Sequence, residues 1–429
     1  MNAGAAMASV DPPVLPAWRD PQAWARAADI VAVLIALSLP WSTSLTGIFT
    51  VLWLIAVLPT IQPRAFLTSL KQPICAVPVA MFVLAAIGTL WSDAAWGARL
   101  YAILPTVKLL MLPVLFYRYQ HSPRALWVFT AFLISCSLLM VMSWIVAYDP
   151  AITLKSSLDP QERGILVKNY IDQSQEFVLC AVALAYPVNT LLRSGKILPA
   201  LLLGALALSF AANMTFVIVS RTALVTMPVL LAVFALLHFR WRSIAIMACG
   251  AILLAALAWV ASPQLRLTVG SFDSQYESYK EQNASTSMGM RIEFLKKSLR
   301  FFASAPIFGH GTGSTRGLFE RAAIGQTGAA AEVIGNPHNQ TLNVAVQWGT
   351  IGIVVLYAMW LVHLLLFRGE GLIAWIGLLV VAQNIFTSLF NSHIFDFHEG
   401  WMYVLGVGVA GGTLLKAGSR DAAPVNSRR

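Results

Sequence analysis

Residues 335–367 read GNPHNQTLNVAVQWGTIGIVVLYAMWLVHLLLF. A short polar turn runs without interval into an apolar stretch. That stretch exceeds the roughly 20 residues a helix needs to cross a bilayer. It must be helical, because lipid offers no partner for free backbone N–H and C=O groups. The turn also closes the one long, mostly polar interruption of the chain, from about 262 to 340. His338 is therefore expected at the boundary between membrane and water.

The composition generalises this reading. Of 429 residues, 58% are hydrophobic and only 11% charged, with mean hydropathy +0.71. Soluble domains carry about 25% charged residues, so most of this surface does not face water. The alternating pattern of a membrane β-barrel is absent. The expected fold class is an all-α polytopic membrane protein of about 12 transmembrane helices, near 28–44, 45–61, 73–91, 102–117, 125–147, 175–192, 197–219, 222–239, 243–261, 341–367, 371–390 and 400–416. The fourth is short and carries Lys108. The first 27 residues, with Pro12, Pro13, Pro16 and Pro21, lack the pattern of a cleaved signal peptide, so the first span reads as an uncleaved anchor. Cys75, Cys136, Cys180 and Cys249 all fall in apolar spans and read as small buried hydrophobes rather than a disulfide framework.

Charge sets the expected orientation. The connections on one side carry Arg19, Arg26, Arg64, Lys71, Arg118, Arg124, Arg193, Lys196, Arg240, Arg242, Arg368, Lys416, Arg420, Arg428 and Arg429. They hold few acids, so the whole net charge of +10 falls there. Basic loops stay cytoplasmic. Both termini, 1–27 and 417–429, are then cytoplasmic, and the segments 148–174 and 262–340 are exported. The domain reading is 28–261 for spans one to nine, 262–340 for the large exported loop and 341–416 for the last three spans. The basic excess calls for no nucleic-acid partner.

Several exported residues stand out. Ser220-Arg221 separates two apolar runs with almost no loop. An arginine at that depth either snorkels to the surface or meets a partner or ligand. Met288–Ser304 reads as an amphipathic helix, with Ile292, Leu295, Leu299 and Phe302 at spacings of three and four. Ser285, Thr286 or Ser287 would cap it. Arg291 lies in its first turn, while Lys296, Lys297 and Arg300 read as a solvated or headgroup-facing side. Pro306, Gly309, Gly311 and Gly313 then break the chain. At the next helix, Asn336 suits a cap and Pro337 the first position, which would put His338 in the first turn. A helix start favours neutral imidazole, and neutral histidine can take a proton. Lys155, Arg163 and Lys168 are candidate accessory contacts for an anionic headgroup, and Asn339 adjoins the histidine. His393, Asp396, His398 and Glu399 match no strong metal signature, and read as polar residues closing a loop. No P-loop pattern occurs. Neither a DxD nor an HExxH run occurs in the exported segments, so no metal and no cofactor is expected.

Three motifs then coincide: Ser220-Arg221; Arg291-Ile-Glu-Phe-Leu followed by Ala305-Pro306-Ile307-Phe308-Gly309-His310-Gly311; and His338-Asn339-Gln340-Thr341-Leu342 leading into Gln347-Trp348-Gly349-Thr350-Ile351-Gly352. In order and spacing, over roughly 205–370, they resemble the O-antigen ligase and polymerase superfamily of bacterial inner membranes. The resemblance implies a membrane glycosyltransferase fold of the GT-C-like type, with a periplasmic helical lid between spans nine and ten. It implies an undecaprenyl-diphosphate-linked glycan donor, a lipid A–core acceptor, and inverting, metal-independent transfer facing the periplasm, among membrane lipids. On the matching positions, Arg221 and Arg291 would bind the diphosphate and His338 would be the general base. Arg266 is a lesser diphosphate candidate, from position alone. A lipopolysaccharide ligase fits first. Behind it come a polymerase on the same donor, a protein (pilin) ligase, and a secondary transporter, which would ordinarily show an internal repeat.

Overall fold

The computed structural model describes residues 20–154 and 163–421. Among the described residues all regular structure is helical. Nine helical segments among the described residues are long and apolar enough to cross a membrane: Thr43–Thr60, Pro73–Trp91, Trp96–His121, Ala125–Tyr148, Tyr170–Arg193, Ile197–Phe216, Arg221–His238, Trp241–Ala261 and Gln340–Leu366. Leu372–Thr387 is a shorter apolar helix. Pro21–Ser38 and Phe397–Asp421 flank the set. Apolar exposure is extensive, and Trp241–Ala261 buries none of its residues. That outward face is what a helix bathed in lipid requires, and it leaves Cys249 exposed rather than buried.

Sequence accounts for the helix starts. Asp20, Ser42, Ser262, Thr286 and Asn339 each accept a backbone N–H of the first turn, satisfying donors that lack an intrahelical partner. The Phe397–Asp421 helix packs closely on Met111–His121. Small residues permit this: a Cβ on Gly408 would stand 2.5 Å from Leu115, and one on Gly412 would stand 2.7 Å from the Phe116 carbonyl. In lipid, close packing replaces the hydrophobic drive between helices. At one end of the bundle Asp29 is buried against Arg118 at 2.8 Å and Arg124 at 3.1 Å.

Several boundaries differ from the sequence reading. The Tyr170–Ala183 helix takes in residues assigned to the loop 148–174, because Asn169 caps it five residues earlier than hydropathy suggests. The fourth segment runs from Trp96 to His121, with a 3-10 turn at Lys108–Leu110. Lys108 is buried there and donates to the Asp396 carbonyl. The polar segment 262–340 contains three helices, Pro263–Gln282, Ser287–Ser304 and Thr315–Ala323. Within the second, the stripe of Leu295 and Leu299 is exposed, while Phe294, Lys297 and Ser298 face inward. Lys297 is thus not a solvated residue: it donates to the Ala330 carbonyl and lies over the Phe319 ring.

The Gln340–Leu366 helix is broken at Gly349, with φ 60° and ψ −153°. The break frees carbonyls, and the loop after Ser304 satisfies them. His310 N–H donates to the Val346 carbonyl at 2.9 Å and Gly311 N–H to that of Gln347 at 2.8 Å. In return Thr350 N–H donates to the Pro306 carbonyl at 2.8 Å. Backbone meets backbone here: a Cβ on Gly349 would stand 2.3 Å from the Ile307 carbonyl, and one on Gly309 would stand 2.5 Å from Gln347. Strained backbone of this kind costs a side-chain-bearing residue on the order of 1–3 kcal/mol before any clash. Gly349→Ala should therefore lower the thermal midpoint of the detergent-purified protein clearly. An unchanged midpoint would show that the break tolerates a side chain.

Candidate functional site

The three broken or capped ends around the polar segment bring its chemistry-bearing residues together. Arg221 opens the Arg221–His238 helix. Its guanidinium donates to Ser271 Oγ at 2.7 Å and Gln275 Oε1 at 3.2 Å, and lies over the Phe272 ring at 4.5 Å. All three partners belong to the Pro263–Gln282 helix, and all are neutral. Thr286 ties that helix to the next by donating to the Gln275 carbonyl at 3.0 Å, and Tyr279 donates to Glu293.

Arg291 lies one turn before Phe294 on the second helix. Burial and the positive charge of Arg221 both act against its own charge. Among the described residues no carboxylate pairs with Arg221 or Arg291. Two guanidinium groups thus share a region with nothing anionic between them. Each is permanently charged and presents a planar fork matched to phosphate oxygens.

His338 is the third element. Phe294 stacks on its ring, with centroids 6.0 Å apart and planes at 28°. Nδ1 lies 2.9 Å from Asn391 Oδ1. Nε2 has no hydrogen-bond partner among the described residues. Burial, then the charge of Arg291, pushes the imidazole below its ordinary range, against the Asn391 bond that pulls it up. Its neutral form is therefore favoured, but not by the cause that sequence suggests. His338 is not in the first turn of a helix. The helix begins at Gln340 with Asn339 as its cap, accepting from Leu342 N–H at 3.0 Å. Asn336 does a different job: its side-chain oxygen accepts the His338 N–H at 3.0 Å. This closes a turn that holds His338 in the left-handed region at φ 54°, and Pro337 precedes the helix rather than opening it. Two asparagines compete for the cap, and the one whose side chain reaches the helical N–H groups takes it.

Other candidates are placed elsewhere. Arg266 is exposed and donates to the Trp259 and Val260 carbonyls at 2.6 and 2.7 Å, closing the end of the preceding helix. Lys168 is buried on Glu176 at 3.3 Å and on the Leu39 carbonyl, so it is an internal ion pair. Arg163 is exposed. Lys155 lies outside the described residues. Asn339, besides capping, donates to the Leu389 carbonyl at 3.1 Å.

Sequence reading took the loop that faces His338 only as polar closure. Asn391 contacts the ring, and its amide donates to Asp396 Oδ2 at 2.6 Å. His393 is buried with both ring nitrogens unpartnered among the described residues. Burial, together with the charges of Arg291 and His338, pushes it down to about 4. Burial pushes the Asp396 carboxyl up to about 7, against the pull of Lys108. His398 pairs with Asp172 at 2.6 Å. Among the described residues no group of three or more His, Cys, Asp or Glu is arranged to hold a metal ion.

Residues 203–357 match the family model described as O-antigen ligase. Over that span the chain is similar to the O-antigen ligase and polymerase superfamily. Arg221, Arg291 and His338 all lie inside the matched span. No curated protein shows significant similarity to the chain. The superfamily is a glycosyltransferase-like group of ligases and polymerases acting on lipid-linked glycans in a membrane context. With its long apolar helices, the chain is a multi-pass membrane protein.

The electrostatics give a direct test. His338 should titrate below 6.5, as read by histidine-selective nuclear magnetic resonance on the purified protein. Arg291→Gln removes a positive charge that disfavours imidazolium, so the midpoint should rise. A wild-type midpoint above 6.5, or a fall in the variant, would contradict the arrangement described.

Proposed function

We propose that the protein is an O-antigen ligase. It moves a glycan from an undecaprenyl-diphosphate carrier to the lipid A–core oligosaccharide, on the periplasmic face of the bacterial inner membrane. On this reading the chain has about 12 spans in a GT-C-like arrangement, with both termini cytoplasmic. The helices of 262–340 form a lid over the site. One observation carries the reading: Arg291, whose helix stacks on His338 through Phe294, feels the charge of Arg221 and acts on His338, and among the described residues no carboxylate pairs with either arginine.

The chemistry follows from the leaving group. A diphosphate at the anomeric carbon already activates the sugar, so two tasks remain. Arg221 and Arg291 hold the diphosphate and neutralise the charge that grows on it as the carbon–oxygen bond breaks. An acceptor hydroxyl attacks the opposite face of the anomeric carbon, inverting it. Nε2 of His338, the unpartnered ring nitrogen, accepts the hydroxyl proton. The products are the glycosidic bond, undecaprenyl diphosphate and imidazolium, which returns its proton to water. The Ser287–Ser304 helix, stacked on the histidine through Phe294, shields the site from water that would otherwise hydrolyse the donor.

Transfer is assayed with purified lipid-linked donor and rough lipopolysaccharide. His338→Ala should lower kcat by roughly 10²–10⁴, the usual contribution of a positioned acid–base group. Arg221→Ala and Arg291→Ala each lose hydrogen bonds to a charged group, about 1.5–3 kcal/mol, and should weaken donor use roughly tenfold to a hundredfold. Activity should persist in chelator. Wild-type turnover by folded His338→Ala protein would remove the histidine from the mechanism. Gel analysis of a deletion strain tests the acceptor: unattached full-length polymer supports the ligase, whereas single-unit attachment would make the protein a polymerase.

A further inference from the structure

We infer that Asn391 and Asp396 are positioning residues for His338: Asp396 fixes the orientation of the Asn391 amide, and Asn391 fixes the tautomer of the imidazole. This rests on the reading of His338 as the general base.

The argument is one of donors and acceptors. The backbone N–H of His338 is necessarily a donor, and it meets the side-chain oxygen of Asn336 at 3.0 Å. Ser392 Oγ donates to the same oxygen at 2.7 Å. The amide nitrogen of Asn336 therefore points the other way, at the Asn391 side chain, 3.3 Å from its oxygen. From the opposite direction, Asp396 Oδ2 lies 2.6 Å from the Asn391 amide nitrogen, and in its ionised form, which Lys108 favours, a carboxylate accepts only. Both ends give one orientation for Asn391, with nitrogen toward Asp396 and oxygen toward Asn336 and His338. Flipping it would set oxygen against oxygen at Asp396 and nitrogen against nitrogen at Asn336. The oxygen so presented lies 2.9 Å from His338 Nδ1, and a carbonyl oxygen can only accept. Nδ1 must then carry the hydrogen, and in the neutral ring Nε2 is left as the acceptor.

The orientation has support beyond the pair. Lys108 donates to the backbone carbonyl of Asp396, fixing the carboxylate's origin. Asn343 donates to Ser392 Oγ at 3.1 Å, so that hydroxyl spends its own hydrogen on Asn336. Gln347 donates to Asn343 Oδ1 at 2.8 Å, and its oxygen accepts Gly313 N–H at 2.9 Å. The tautomer of one histidine is thus tied to the break in the Gln340–Leu366 helix. A neutral acceptor at 396 satisfies the same geometry as a charged one, which separates orientation from simple charge.

The test reads the tautomer itself. Full-length protein in detergent is labelled with ¹⁵N-histidine, and the His338 signals are assigned by their loss in His338→Ala. In wild type, Nδ1 should be protonated and Nε2 unprotonated at a pH where the ring is neutral. Asn391→Leu and Asp396→Leu should lose that preference and lower kcat tenfold or more, with donor KM within about twofold. Asp396→Asn should keep the tautomer and stay within about threefold of wild-type kcat. A wild-type ring protonated at Nε2 overturns the inference without recourse to any variant. So does an unchanged tautomer in folded Asn391→Leu or Asp396→Leu protein. Should His338→Ala retain full turnover while the tautomer responds as stated, the base assignment falls and the positioning role stands.

Discussion

A backbone polar group in hydrocarbon has no partner but the protein itself, and this constraint shapes the molecule. Most of the chain meets it by helix formation, which uses up every N–H and C=O locally. Among the stretches that do not are the Gly349 break, the turn 336–339 and the loop 388–396. Each is satisfied by another irregular stretch. Gly309 and Gly311 bring the 306–311 loop onto the broken helix. Gln340 donates its N–H to the Ser388 carbonyl at 2.9 Å, and its side chain accepts Ile394 N–H at 3.0 Å. Non-helical backbone therefore gathers in one place, and the exposed chemistry gathers with it.

The same place holds an unusual charge balance. Elsewhere several buried carboxylates have a basic partner: Asp29 has two arginines, Glu176 has Lys168 and Asp172 has His398. Arg221 and Arg291 are bonded to neutral groups or to none. A pair of like charges held together costs folding energy, and the helices of the polar segment carry that cost through Ser271, Gln275 and Phe272. Such an arrangement is stable in the presence of an anion of the right size. The proposed diphosphate supplies one.

The sequence made the helical class legible, because a run of some twenty apolar residues admits one solution in lipid; of the twelve expected spans, nine helical segments among the described residues have the length and apolar character to cross. Arg221, Arg291 and His338 were visible as candidates, since one stands between two apolar runs, one opens an amphipathic helix and one lies in the turn before a span. What stayed hidden depends on distance in space. Asn391 has no feature of its own; its meaning comes from lying beside a histidine 53 positions earlier. Asn336 and Asn339 are equally good caps on paper, and only side-chain reach tells the cap from the turn. Arg266 and Lys168 showed the converse failure. A cation near the membrane edge looks like a ligand for phosphate until its carbonyl or carboxylate partner is seen.

The arginines and the histidine also act on one another. With the site unliganded, burial holds the ring neutral and the charge of Arg291 further disfavours imidazolium. A bound diphosphate offsets that charge, so proton affinity at His338 rises when donor is present. The base is then ready before donor arrives and stronger once it has arrived, and the imidazolium formed in the reaction faces a leaving group of opposite charge. Departure of the diphosphate restores the repulsion and expels the proton. On the proposed reading, a single pair of arginines both holds the leaving group and resets the base, which explains why these residues share one site rather than two.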